Sequence, residues 1–113
     1  MSGAELLHAH VERLNAGVRS GDYAPMLAAF TTDAELVFEG IPVGPFGGRD
    51  GIAAAYEANP PDDEVLVGDV REEPDGTVVA AYRWSREPER VAGEMRLTPR
   101  GDRIARLVVT FDS

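Results

Sequence analysis

Phe30–Thr31–Thr32–Asp33–Ala34–Glu35–Leu36–Val37–Phe38–Glu39, followed after a short break by Phe46–Gly47–Gly48–Arg49–Asp50–Gly51–Ile52–Ala53–Ala54–Ala55–Tyr56, decides the fold. A helix end, an acidic turn at Thr32 and Asp33, a strand, a Gly/Pro loop and a glycine-started helix succeed one another, in the order expected of a small cone-shaped pocket. The strand, read over Ala34 to Glu39, carries Ala34, Leu36 and Phe38 on one face and Glu35, Val37 and Glu39 on the other. Ile41 to Gly48 holds two prolines and three glycines and is read as an irregular loop over the pocket mouth. Ile52 and Tyr56, four apart among alanines, make a helix of Arg49 to Ala58, halted by Asn59–Pro60–Pro61.

Upstream, Leu7, Val11, Leu14 and Val18 form the apolar stripe of an amphipathic helix over Ala4 to Arg19. Ser2 and Glu5 have capping-box spacing at its start, and Gly21 stops it. Asp22 then caps a short second helix with Pro25 early and Met26, Leu27 and Phe30 on its buried side. Downstream, Glu64 to Glu72, Thr77 to Arg86, Arg90 to Thr98 and Arg103 to Phe111 read as strands. The segments Pro74–Asp75–Gly76, Glu87–Pro88–Glu89 and Pro99–Arg100–Gly101–Asp102 between them are turns by composition. Helices first and a meander after predict an α+β architecture in which a curved sheet wraps the first helix.

The chain has 113 residues, enough for one domain with a single core, and the expected organisation is one domain over residues 1–113. A net charge of -9 and a pI near 4.6 argue against nucleic acid or an anionic membrane as partner, because both would repel it. All 11 basic residues are arginine, which with the many alanines and glycines suggests a G+C-rich coding sequence rather than a binding function. Cysteine is absent, which removes disulfides, thiolate nucleophiles and cysteine-based metal sites. With no basic-then-apolar leader and no apolar run near the roughly 20 residues of a membrane span, the expected location is the cytoplasm.

Gly21–Asp22, then Phe30–Thr31–Thr32–Asp33–Ala34, then Gly48–Arg49–Asp50–Gly51–Ile52 with Tyr56, form an ordered set. It resembles the superfamily of nuclear transport factor 2 (NTF2), the bacterial ketosteroid isomerases and the SnoaL-like polyketide cyclases. Met95–Arg96–Leu97 with Gly101–Asp102–Arg103–Ile104 is similar to that superfamily's last hairpin. The resemblance covers nearly the whole chain. It implies a cone-shaped NTF2-like fold, N-terminal helices packed in a curved, mixed, mainly antiparallel sheet, and a homodimer through the open face of that sheet.

The isomerase branch needs a carboxylate on the first strand, a tyrosine on the first helix and a protonated aspartic acid on a later strand, the last two holding the enolate oxygen. The resemblance lays Phe38, Leu14 and Gly93 on those positions, so the set is lost. Glu39 and Glu94 lie one residue beyond two of them. Strict alternation turns both acids away from the cavity, whereas a bulge would bring Glu39 inward.

His8 and His10, two apart on a helix, point in different directions and do not pair on a metal. His10 neighbours the Leu14 face and is a candidate acid or base with a pKa near neutrality; the alternative is a flank histidine satisfied by solvent or a carbonyl. Arg83 and Trp84 alternate, and Tyr82 shares the face of Trp84, suited to stacking on a flat apolar ligand or to ordinary core packing. The run Asp62–Asp63–Glu64 is read as a solvated turn, and Gly44, Gly47 and Gly48 lack the spacing and lysine of a phosphate loop.

Two functions follow. One is a SnoaL-like isomerase or cyclase acting on a hydrophobic carbonyl compound by proton transfer, with Glu39 or His10 as the catalytic candidates and Tyr56 or Tyr82 as further acids or bases. The other is a non-catalytic dimeric ligand-binding or interaction module. Epoxide hydrolysis, the work of a sister branch, is a weaker third. Leu14, Phe30, Phe38, Tyr56, Tyr82, Trp84 and Gly93 are the expected pocket lining. No metal and no cofactor are expected, and the expected ligand is small and hydrophobic.

Overall fold

The computed structural model describes residues 1–111. Helix α1 spans Gly3–Ser20, α2 Ala24–Ala28 and α3 Gly48–Ala58. The strands are β1 Phe30–Glu39, β2 Phe46–Gly47, β3 Val65–Glu72, β4 Val78–Trp84, β5 Gly93–Arg100 and β6 Arg103–Thr110. They form one six-stranded sheet in the order β2-β1-β6-β5-β4-β3. Only β1 with β6 is parallel; every other pair is antiparallel, so the sheet is mixed and mainly antiparallel, and it stays open.

Local chemistry explains the helix ends. The Ser2 hydroxyl accepts from the Glu5 N–H while the Glu5 carboxylate accepts from the Ser2 N–H, closing the capping box at the start of α1. Gly21, at φ 82°, ends the helix in the left-handed conformation that glycine adopts without steric cost. The Asp22 carboxylate accepts from the Ala24 N–H at 3.0 Å, but the capping position of α2 falls on Tyr23, one residue later than expected.

Phe30 is the main correction. It belongs to β1, pairing with Ile104, and not to the second helix; Thr32 and Asp33 likewise lie within the strand, at a register shift between Phe30 and Glu35. The Ile41–Gly48 loop is also partly regular: Phe46 and Gly47 pair back on Leu36 and Glu35 as β2. Pro99 sits inside β5, where the β5–β6 register shifts and a missing N–H costs least.

The concave face of the sheet carries Leu36, Leu107, Leu97, Met95, Val78, Ala80 and Tyr82, packed with Leu6, Leu7, Val11 and Leu14 of α1 and with Ile52 of α3. The edge strand β3 is tied to α1 by one side chain. The Asn15 carboxamide donates to the Val65 carbonyl at 2.9 Å and accepts from the Val65 N–H at 2.8 Å, pairing groups the sheet leaves open. Arg49 performs a similar task at the other end, donating to the Phe30 carbonyl oxygen.

Candidate functional site

Between α1, α3 and the concave face lies a cavity of about 420 Å³. Its size falls in the range of small-molecule sites. Alternation along the strands supplies the wall: Phe38 from β1, Tyr82 and Trp84 from β4, Met95 from β5, Leu107 and Val109 from β6. Helix α1 adds His10 and Leu14, four apart and therefore on one side, and α3 adds Tyr56. Ile41, Val43 and Phe46 stand at the mouth, with Ile41 and Val43 40% and 41% exposed. Among the described residues, no Asp, Glu or Arg lines the cavity.

Aromatic rings make up much of that wall. Phe38 meets Phe46 edge-on at 6.1 Å and Phe111 at 6.0 Å between centroids. Tyr82 stands perpendicular to both Trp84 and Phe111, at 5.8 and 6.4 Å. The Tyr82 hydroxyl donates to the Thr110 carbonyl at 2.9 Å, which fixes the ring.

His10 is the exceptional member. It is 1% exposed, and neither Nδ1 nor Nε2 has a hydrogen-bond partner. Burial pushes its pKa down to about 4, and the Arg13 charge one turn away adds to the effect, so the imidazole is neutral at pH 7. A neutral imidazole has one N–H donor and one acceptor nitrogen, both unused here. The flank histidine bonded to solvent or a carbonyl is therefore not what the chain builds. Burial, with Tyr23 close by at 5.2 Å between ring centroids, raises the Tyr56 phenol, which remains protonated.

Glu39 and Phe30, expected in the site, lie elsewhere, as does the neighbouring acid Glu94. Glu39 is exposed on the convex face: past the register shift, Glu35 through Glu39 pair regularly with Arg106 through Thr110, and that phase turns Phe38 in and Glu39 out. Glu94 is on the same outer face, 3.3 Å from Arg96 and 3.7 Å from Arg71. Phe30 is fully buried behind the cavity, and its ring backs the His10 imidazole rather than lining the space.

Gly93 faces inward but does not line the cavity, because the Thr110 carbonyl and the Tyr82 ring crowd it and a Cβ there would collide with the Thr110 carbonyl oxygen. Leu14, Phe38, Tyr56, Tyr82 and Trp84 do line it. Leu107, Val109 and Phe111 were legible as an alternating series, whereas Phe46 carried no signal inside a Gly/Pro loop.

No group of three or more His, Asp or Glu side chains suited to a metal occurs among the described residues. None of their helices is long and apolar enough to cross a membrane.

Solved structures share this architecture. A Sphaerobacter thermophilus protein is 25% identical with a TM-score of 0.69, over 100% of this chain and 98% of its own. A Bacillus subtilis protein proposed to be an isomerase is 15% identical with a TM-score of 0.74, over 99% and 90%. An NTF2-like protein of Cytophaga hutchinsonii is 16% identical with a TM-score of 0.72, over 99% and 91%. No curated protein matches in sequence. The open mixed sheet wrapped on α1 is an NTF2-like fold, and the match of residues 11–111 to the SnoaL-like domain establishes that this chain belongs to the SnoaL-like family.

Proposed function

We propose that the chain binds a small, largely apolar molecule inside the cone, with His10 as its hydrogen-bonding contact. One observation carries this reading: a cavity of about 420 Å³, lined among the described residues by no carboxylate or arginine, has in its wall a fully buried imidazole whose nitrogens are both unpartnered. Leaving such a group unsatisfied costs about 1–3 kcal/mol, which a ligand's hydrogen bond would recover. Trp84, the single tryptophan, lines the same space and reports on its filling. Titration with a panel of flat polycyclic ketones and lactones tests the reading: saturable change in Trp84 emission supports it, and no response from any member sinks it.

Proton transfer, as in an isomerase or cyclase acting on a carbonyl compound, is the second reading. It rests on His10, the cavity-lining group with a pKa brought below neutrality. A base of pKa about 4 is poorly matched to removing a proton next to a ketone at pH 7, which ranks binding ahead of catalysis. Turnover of a panel ketone that disappears in His10→Leu while binding persists would reverse that ranking.

A homodimer through the convex face belongs to the same proposal. Glu35–Arg106 at 2.8 Å and the Arg71–Glu94–Arg96 group, two arginines on one carboxylate, carry no net negative charge on this face, so two acidic chains would not repel there. Light scattering should give twice the monomer mass, falling to one in Val37→Glu; a monomeric parent protein refutes the dimer.

A further inference from the structure

We propose that the cone selects by charge and polarity, taking flat, uncharged aromatic compounds that carry one hydroxyl group, held by His10, and excluding their carboxylate analogues. This rests on the binding function proposed above and narrows its ligand class.

No Arg side chain reaches the cavity to pair with an anion, and Arg13, the cation nearest in sequence to His10, is not part of its lining. A carboxylate entering this space pays a desolvation cost that an ion pair would best offset, and the described wall offers no cation, only neutral polar groups on His10, Tyr56, Asn59, Tyr82 and Trp84. The chain's net charge of -9 adds unfavourable potential on approach. An imidazolium would be the remaining counter-ion, but His10 sits among Phe30, Leu14 and the cavity rings, surroundings that hold it neutral.

What the wall offers is equally specific. A neutral imidazole presents a donor at one nitrogen and an acceptor at the other. A hydroxyl can donate or accept, so it satisfies whichever nitrogen it meets, whereas a carbonyl needs the N–H alone. Phe38, Phe46, Tyr82, Trp84 and Phe111 present rings at 5.8–6.4 Å spacings with mutually inclined planes, an arrangement that receives a flat ring by edge and offset contacts.

The test compares three probes of one shape: naphthalene, a naphthol and the corresponding naphthoate. Binding is followed by calorimetry at pH 7.5 and located by the shift of the Trp84 indole N–H signal. The naphthol should bind about fivefold to tenfold more tightly than naphthalene, the gain of one buried hydrogen bond, and the naphthoate should bind more weakly than naphthalene. In His10→Leu the naphthol should lose its advantage over naphthalene. If naphthalene binds but the naphthol is no better, or the naphthoate binds as well, the selectivity is overturned and the binding function stands. If none of the three binds, both fall. The wild-type comparison decides the matter even where His10→Leu does not fold.

Discussion

The imidazole of His10 stands perpendicular to the ring of Phe30, their planes at 89° and their centroids 5.7 Å apart. That contact holds the ring by dispersion and edge-to-face electrostatics, and it supplies no hydrogen bond. A titratable group has thus been built into the core with its protonated form excluded.

Acid sensitivity follows directly. The unfolded chain binds a proton at His10 near pH 6.5 and the folded chain only near pH 4, so stability from the neutral ring is complete above pH 6.5 and is lost as pH falls toward 4. The loss should be about 3 kcal/mol across that window. The carboxylates of Asp33, Asp63 and Asp75 are held below their ordinary value, so their loss belongs to still lower pH. Urea melts between pH 7 and pH 4 should show the decline in the parent protein and a much flatter profile in His10→Leu. Equal slopes in the two proteins would refute the assignment.

Gly93 should tolerate no side chain. Its hydrogen points at the Thr110 carbonyl, which also accepts from Tyr82, so Gly93→Ala must separate β5 from β6 or break that bond. The expected cost is about 3 kcal/mol, with a Tm lowered by more than about 10 °C in calorimetry. An acid therefore cannot simply be restored at this position by substitution, and Gly93→Asp should be worse than Gly93→Ala.

Asn15→Ala removes both partners of the Val65 backbone at the start of β3. Val65 is 2% exposed, so its N–H and carbonyl would be left poorly solvated, at a cost of about 2 kcal/mol in chemical unfolding. Hydrogen exchange at Val65 should accelerate more than at the central strand β6. Unchanged protection would show that the edge is held by other contacts.

Glu39→Gln should leave ligand affinity untouched and change stability by less than about 0.5 kcal/mol, since the side chain is exposed on the convex face. A tenfold drop in affinity measured through Trp84 would place Glu39 in the site after all.

Much of this molecule is written in short-range pattern. The Ser2–Glu5 box, the Gly21 stop, the helix of Ile52 and Tyr56 and the alternation of Tyr82 with Trp84 depend on residues a few positions apart, so the sequence alone determined the helices and the longer strands in their order, though not β2. The inward phase of Phe38 and outward phase of Glu39 were also legible, because period two leaves no other choice once one face is buried. The phase held because the strand's register shift lies upstream, between Phe30 and Glu35.

Tertiary structure alone decided the rest. Phe30 left its helix for β1 because Ile104, far along the chain, was available to pair with it. The closeness of Gly93 to Thr110, the recruitment of Phe46 to the mouth and the sealing of His10 without a partner arise from elements brought together across tens of residues. Helix periodicity put His10 beside Leu14. Whether water, a carbonyl or nothing would meet its nitrogens depended on how Phe30, α1 and the sheet closed around it, and no local pattern records that.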